Sequence, residues 1–197
     1  MKTAYFWLTP QGKQLAEQLQ AHFGGTVEPK ADFAEAVRRA FADCDALVFV
    51  MATGIVVRTI APLVQSKASD PAVLVLDQRG KHVISLLSGH LGGANAMAEQ
   101  AAAYLGGEAV ITTATDVEHV PAFDLFAKEN HLTIENLEEL KYISGALVAG
   151  EPVSLCTAFP VEKNAFPETV QIQPFSETPP HACAVAIADT TESVAAP

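Results

Sequence analysis

Small, polar and ionisable residues gather at three places in this chain, each directly after an apolar run. MATGIVVR brings Thr53, Gly54 and Arg58; LLSGHLGGAN brings Ser88, Gly89, His90, Gly92, Gly93, Ala94 and Asn95; VITTATD brings Thr112, Thr113, Thr115 and Asp116. Such residues suit acid–base work beside a bound anion. His90 can give or take a proton near neutral pH, and Asp116 can act as a general base. Gly92-Gly93 precedes an expected helix, where backbone N–H groups and the helix dipole favour an anion. The threonines add hydroxyl donors, and Arg58 can hold a carboxylate through a forked pair of hydrogen bonds.

Each residue has a plainer reading beside this one. Glycines at such turns serve backbone geometry alone, and a histidine there can fix the turn through backbone bonds. Asp116 is placed to cap a helix, Arg58 to sit on a solvated face, and Thr112-Thr113 to build a strand. Ser88 lacks the G-x-S-x-G surround of a nucleophile elbow. Neither a phosphate-binding G-x-x-x-x-G-K-[ST] nor a dinucleotide G-x-G-x-x-G is present. The six histidines show no H-x-x-x-H pair, so no catalytic metal is expected. Cys44, Cys156 and Cys183 form no C-x-x-C pair and read as buried free thiols of a reducing cytoplasm.

The elements that must position these residues follow from periodicity. TAYFWLT (3–9) is a β-rich run, and Thr9-Pro10 starts a helix that carries Leu15, Leu19 and Phe23 and stops at Gly24-Gly25. A short strand at 25–28 leads to a second helix opened by Asp32, with Glu35 placed as in a capping box. ALVFVMA (46–52) is apolar throughout, as in a strand covered on both faces. Thr53-Gly54 then turns the chain into the helix IVVRTIAPLV. AVLVLD (72–77) and HVISLLS (82–88) are joined too closely for a parallel crossover and should pair antiparallel. An Ala-rich helix ending at Gly106-Gly107 and the strand EAVITTA (108–114) complete the first part.

This pattern predicts an open, mixed, mostly parallel α/β sheet with helices on both faces, over residues 1–120. In such a sheet ligands bind outside the carboxyl ends of the strands, which places all three polar segments in one crevice. A smaller α/β domain over 121–197 follows, with helices at 121–131 and 136–150 and the strands PVSLCT, TVQIQPF and ACAVAIAD. The boundary is expected between about 120 and 135.

Composition narrows the partners. At 49% hydrophobic and 18% charged residues the chain reads as globular, and no apolar stretch reaches the ~20 residues of a membrane-spanning helix. The net charge of −11 opposes nonspecific binding to nucleic acid or anionic membranes. A polyanionic substrate would have to be held by local donors.

ALVFVMATGIVVRTIAPLV, VISLLSGHLGGANAMAE and AVITTATDV, in this order and spacing, resemble the N-terminal region of the cobalt-precorrin-5A hydrolase family of anaerobic vitamin B12 synthesis. PAFDLFAKENHLTIENLEELK resembles that family's transition into its middle domain. The resemblance implies a cytoplasmic enzyme that opens the δ-lactone of a cobalt-containing tetrapyrrole with water and releases the extruded meso carbon, with its methyl group, as acetaldehyde. The cobalt belongs to the substrate, so no protein-bound cofactor is implied. For that chemistry His90 is the first choice as proton relay and Asp116 the second. The N–H groups near Gly92, Gly93 and Ala94 are candidates for the oxyanion or a substrate carboxylate. The family typically continues into a third, C-terminal domain; the expectation here is that this domain is absent from the chain, with a separate C-terminal polypeptide and other enzymes of the pathway as the partners the resemblance implies. Two rival readings remain: a tetrapyrrole-holding module without chemistry of its own, and a nucleotide- or sugar-phosphate-binding α/β enzyme using the Gly92-Gly93 helix start.

Overall fold

A computed structural model describes residues 1–67, 69–162, 165–175, 181 and 184–187. The chain divides after Thr112 into two compact units. The first holds a six-stranded sheet in the order β2-β1-β3-β4-β5-β6. Its strands are β1 (Thr3–Trp7), β2 (Thr26–Val27), β3 (Ala46–Val50), β4 (Ala72–Leu76), β5 (His82–Leu87) and β6 (Glu108–Val110). The first four run parallel, β5 runs antiparallel to β4, and β6 runs parallel to β5.

Every residue of β3 and β4 is buried, which explains their unbroken apolar runs. Tyr5, Ala46, Val48, Val50, Leu74 and Leu76 face α1 (Pro10–Phe23) and α4 (Ala94–Leu105) on one side. Phe6, Leu47, Phe49, Val73 and Val75 face α2 (Phe33–Asp43) and α3 (Thr53–Ile60) on the other. The period-2 alternation of a strand thus divides one apolar run between two cores. Alanines at 94, 98, 101 and 102 line the buried side of α4, so its backbone can lie close on the sheet.

Thr9 caps α1 as its type predicts, its Oγ1 accepting from the Gly12 N–H at 3.0 Å. Two local expectations are corrected. Asp32 stands at the N-cap of α2 in a left-handed conformation and makes no side-chain cap bond. Glu35 turns away to pair with Arg38 through two hydrogen bonds of 2.9 and 2.5 Å, so no capping box forms. Thr53 and Gly54 are the first turn of α3 and not a turn before it, with Ala52 as the extended residue at its N-cap.

The β4–β5 turn is closed by Asp77, whose carboxylate accepts from the Arg79 N–H at 2.9 Å and the His82 N–H at 2.7 Å. Partial burial pushes its pKa up, but the N–H groups of His82, Arg79 and Lys81 outweigh that and hold it below the usual value. A depressed folded pKa contributes stability that is present above the unfolded value and lost as pH falls through the folded one. Acid titration of stability should therefore show a component below the ordinary carboxylate range that Asp77→Asn removes, read by urea unfolding at several pH values.

The expected strand 108–114 stops at Val110. The chain leaves the sheet there, and α5 (Ala114–Val117) packs with α7 (Leu140–Val148) in the second unit. This is why the units divide before residue 120. The second unit adds α6 (Phe123–Glu129), a 3-10 turn at Leu137–Glu139, and a parallel sheet β8-β7-β9. Its strands are β7 (Val153–Thr157), β8 (Val170–Pro174) and β9 (Ala184–Ile187). Phe123, Ile143, Leu147, Val153, Leu155 and Val170 make its core. Residues 182, 183 and 188 to 197, including Cys183, lie outside the described residues.

Candidate functional site

The register of β4 and β5 decides which candidate residues meet. Val50 of β3 pairs with Leu76 of β4, so the two strands end at the same edge. Leu76 pairs with Val83 and Val73 with Leu87, so β5 ends at the opposite edge. Ser88 accordingly lies beside the start of β4, its Oγ donating to the Asp70 carbonyl at 2.9 Å. Because β6 runs with β5, exposed Thr112 leaves the sheet at this same edge. Thr53, Gly54 and Arg58 are at the other edge, after β3. The single crevice expected from three carboxyl ends is therefore corrected: the tight β4–β5 link reverses the last two strands and divides the set.

Arg58 is exposed, and its Nη1 donates to the Gly54 carbonyl of its own helix at 2.8 Å. Gly54 leaves room for that fold-back, since a Cβ there would stand 3.2 Å from Nη1.

At the opposite edge, residues 88–95 form a closed loop. Ser88 adopts a left-handed φ of 58°. Its carbonyl accepts from the Ala94 N–H at 3.1 Å, and the Gly89 carbonyl accepts from Asn95 N–H at 3.0 Å. The Gly93 N–H donates to the His90 carbonyl at 2.9 Å, making a tight turn across His90–Gly93. Two of the three expected anion donors, Gly93 and Ala94, are thus bonded to the loop's own carbonyls. The Gly92 N–H has no such partner among the described residues.

The glycines divide in the same way. A Cβ on Gly92 would stand 2.4 Å from the Ser88 Cβ, and one on Gly89 would stand 2.7 Å from Asn95 Oδ1. Both are required by the loop's closure on itself. Gly93, at φ 87° and facing open space, is required by its backbone angle. His90 is half-buried in this loop.

Two supporting residues had no signal in the motif reading. Ser85 Oγ donates to Asn95 Oδ1 at 2.6 Å, tying β5 to the first turn of α4. Asp70 is buried, and its carboxylate accepts from the Gln65 N–H at 3.0 and 3.2 Å. That fixes the segment whose carbonyl receives Ser88. The Asp70-Pro71 pair just before β4 is the kind of turn signal that could have marked it. Asp70→Ala should cost about 1–3 kcal/mol by urea unfolding, with partial recovery in Asp70→Asn, which keeps an acceptor.

Thr113, Thr115 and Asp116 belong to the second unit. Thr113 is the N-cap of α5 without a side-chain cap bond, and Thr115 is buried. Asp116 is the third residue of that four-residue helix and not its cap. Burial pushes the half-buried Cys44 thiol up, against the lowering effect of Lys2, which disfavours the thiolate. Cys156 is buried in β7. Among the described residues no group of three or more His, Cys, Asp or Glu side chains could hold a metal ion, and no helix is long and apolar enough to cross a membrane.

Comparison with known proteins adds what geometry alone does not. The family model "Cobalamin synthesis G N-terminal" matches residues 35–116, and "Cobalamin biosynthesis central region" matches 121–195. A cobalt-precorrin-5A hydrolase of Salmonella typhimurium is 44% identical over 165 residues, covering 77% of this chain and 47% of the relative. One of Priestia megaterium is 42% identical over 109 residues, covering 55% of this chain and 29% of the relative. The crystal structure of a cobalamin biosynthesis protein G homologue from Sulfolobus solfataricus has a TM-score of 0.55 at 24% identity, covering 98% of this chain and 57% of that one. That likeness shows the fold. The chain spans about half the length of the Salmonella relative. With both regions matched in order along it, the chain belongs to the cobalamin synthesis G family, the family of the cobalt-precorrin-5A hydrolases.

Proposed function

We propose that this chain acts in cobalamin biosynthesis on cobalt-precorrin-5A, in the hydrolytic opening of the δ-lactone that ends in release of acetaldehyde. The observation that carries this reading is the ordered match to both family regions, together with 44% identity to a relative named for that hydrolysis. Cobalt enters with the substrate. Water adds to the lactone carbonyl, and the resulting oxyanion needs a donor; the Gly92 N–H is the loop group left for it. Collapse frees a carboxylate and an alcohol on the extruded carbon. Loss of the hydroxyl proton then breaks the carbon–carbon bond, and a proton returns to the ring carbon. His90, in the closed loop, is the proposed relay for these protons. Asp116 remains the second candidate, carried by the second unit. Thr53 and Arg58 stand at the other edge of the sheet and take no part in this constellation.

A second reading has a specific observation behind it. The Gly93 and Ala94 N–H groups are already bonded within the loop, as suits a part that holds the tetrapyrrole for chemistry completed by a separate domain or another enzyme of the pathway. Anaerobic titration with cobalt-precorrin-5A, followed by macrocycle absorption, tests what both readings share. Saturable binding is expected; no spectral change with a folded sample would overturn both.

A further inference from the structure

Strand β5 changes phase just before the 88–95 loop. Ser85 pairs with Leu74 and Leu87 with Val73, so Leu86 is an extra residue, a β-bulge of the kind that re-aims a chain beside a site. Up to Ser85 the strand alternates normally, with Val83 on the α1/α4 core and Ile84 on the α2/α3 core. After it, Leu86 and Leu87 both pack on the α2/α3 core. Ser85 is therefore the last β5 residue turned toward α4, and the chain leaves Leu87 aimed at the Asp70 carbonyl, where Ser88 docks.

The contact Ser85 makes there is polar, on a helix side otherwise lined by alanines. Ala94, Ala98, Ala101 and Ala102 are the other buried residues of α4, and Asn95, its second residue, is 6% exposed. Asparagine is a weak helix former, and a buried polar pair adds little stability over an apolar one. Packing alone does not call for it. The Ser85 hydroxyl donates to Asn95 Oδ1 at 2.6 Å and so fixes the rotation of the amide. The amide then lies flat against Gly89, where a Cβ would stand 2.7 Å from Oδ1 and 3.0 Å from both Cγ and Nδ2. The Asn95 N–H meanwhile donates to the Gly89 carbonyl at 3.0 Å. One residue thus holds Gly89 by its backbone and by its side chain, and His90 follows directly.

We infer that Ser85 and Asn95 are positioning residues for the proposed reaction. The Ser85 hydroxyl sets the Asn95 amide, the amide seats Gly89, and Gly89 sets where the His90 ring stands. Asn95, a candidate substrate ligand by its place in the sequence, acts instead from beneath the loop. A catalytic group gains its effect from being held in one geometry by supporting contacts, and this pair supplies them at the base of the loop. The inference rests on the reading of His90 as the proton relay.

Ser85→Ala removes one oxygen from a half-buried position and should leave the chain folded, which urea unfolding checks. Anaerobic turnover of cobalt-precorrin-5A should then show kcat lowered by roughly ten- to a hundredfold, with KM and tetrapyrrole binding unchanged. Ser85→Thr keeps the hydroxyl in a residue that suits a strand and should restore most of kcat. A purely structural pair would lower the urea midpoint of Ser85→Ala and leave its kcat as it was. A pair that serves substrate binding would raise KM with kcat kept. Either result would overturn the inference. Histidine-ring NMR of the substrate-free chain separates these outcomes from failure of the hydrolase reading. His90 signals should move in Ser85→Ala and return in Ser85→Thr, with those of exposed His131 in the second unit unmoved. A wild-type chain that releases no acetaldehyde speaks against the hydrolase reading; unmoved His90 signals in Ser85→Ala overturn the positioning role itself.

Discussion

Gly92→Ala is expected to cut tetrapyrrole turnover by about 100-fold or more, the scale on which small misplacements of a catalytic group act. The added methyl would stand 2.4 Å from the Ser88 Cβ and 2.7 Å from the Ser88 carbonyl oxygen. That oxygen is the acceptor for the Ala94 N–H, and Ser88 is itself held by its hydroxyl on the Asp70 carbonyl. Ser88 therefore cannot step aside without breaking the closure that places His90. Overpacking of this kind costs about 1–3 kcal/mol, which urea unfolding would register. Gly93→Ala is the contrast: its Cβ meets nothing within 4 Å, and only the φ of 87° is strained. It should cost about 1–2 kcal/mol and spare more of the turnover. Equal, near-native turnover in both variants would show that the loop's closure does not matter to the chemistry.

Phe49→Ala is expected to have the largest effect on stability. Phe49 is fully buried in β3, stacked on Phe6 with ring centroids 5.0 Å apart, and Phe33 meets Phe6 edge-on at 6.0 Å. Removing the ring deletes the centre of the core beneath α2 and α3 and leaves a cavity in a strand hydrogen-bonded on both sides. The expected cost is about 3–5 kcal/mol, against about 5–15 kcal/mol for a whole domain. The urea midpoint should fall sharply, and Phe49→Leu should lose clearly less. A loss below about 1 kcal/mol would mean that the core had collapsed around the gap or does not depend on this ring.

Much of the fold was legible because its causes are local. The unbroken ALVFV run means burial on both faces, Thr9-Pro10 means a capped helix start, and the short Arg79-Gly80 link means antiparallel pairing. The site was less legible because its causes are not local. The antiparallel link is readable, but where the site residues fall depends on a distant pairing: β6 runs parallel to β5, so Thr112 follows Ser88 to one edge and Thr53 is left at the other. Asp32 and Glu35 have the spacing of a capping box, yet Arg38, one turn on, captures Glu35. The loop's use of its own N–H groups depends on Ser88 entering the left-handed region, a conformation its residue type does not announce. Asp70 acts from 18 positions upstream, beyond any local pattern. Thr112 and Thr113 read as part of the strand because the β-rich run continues past Val110, whereas the sheet pairing does not.

The central claim is that this chain takes part in cobalt-precorrin-5A hydrolysis with His90 as the proton relay. The most direct measurement is anaerobic incubation of the purified chain with cobalt-precorrin-5A, assayed for acetaldehyde. Acetaldehyde at enzymatic turnover, reduced by a factor on the order of 100 to 10,000 in a folded His90→Ala variant, is the predicted result. Turnover unchanged in His90→Ala would contradict the relay assignment, and no acetaldehyde from a folded chain that binds the tetrapyrrole would contradict catalysis by this chain.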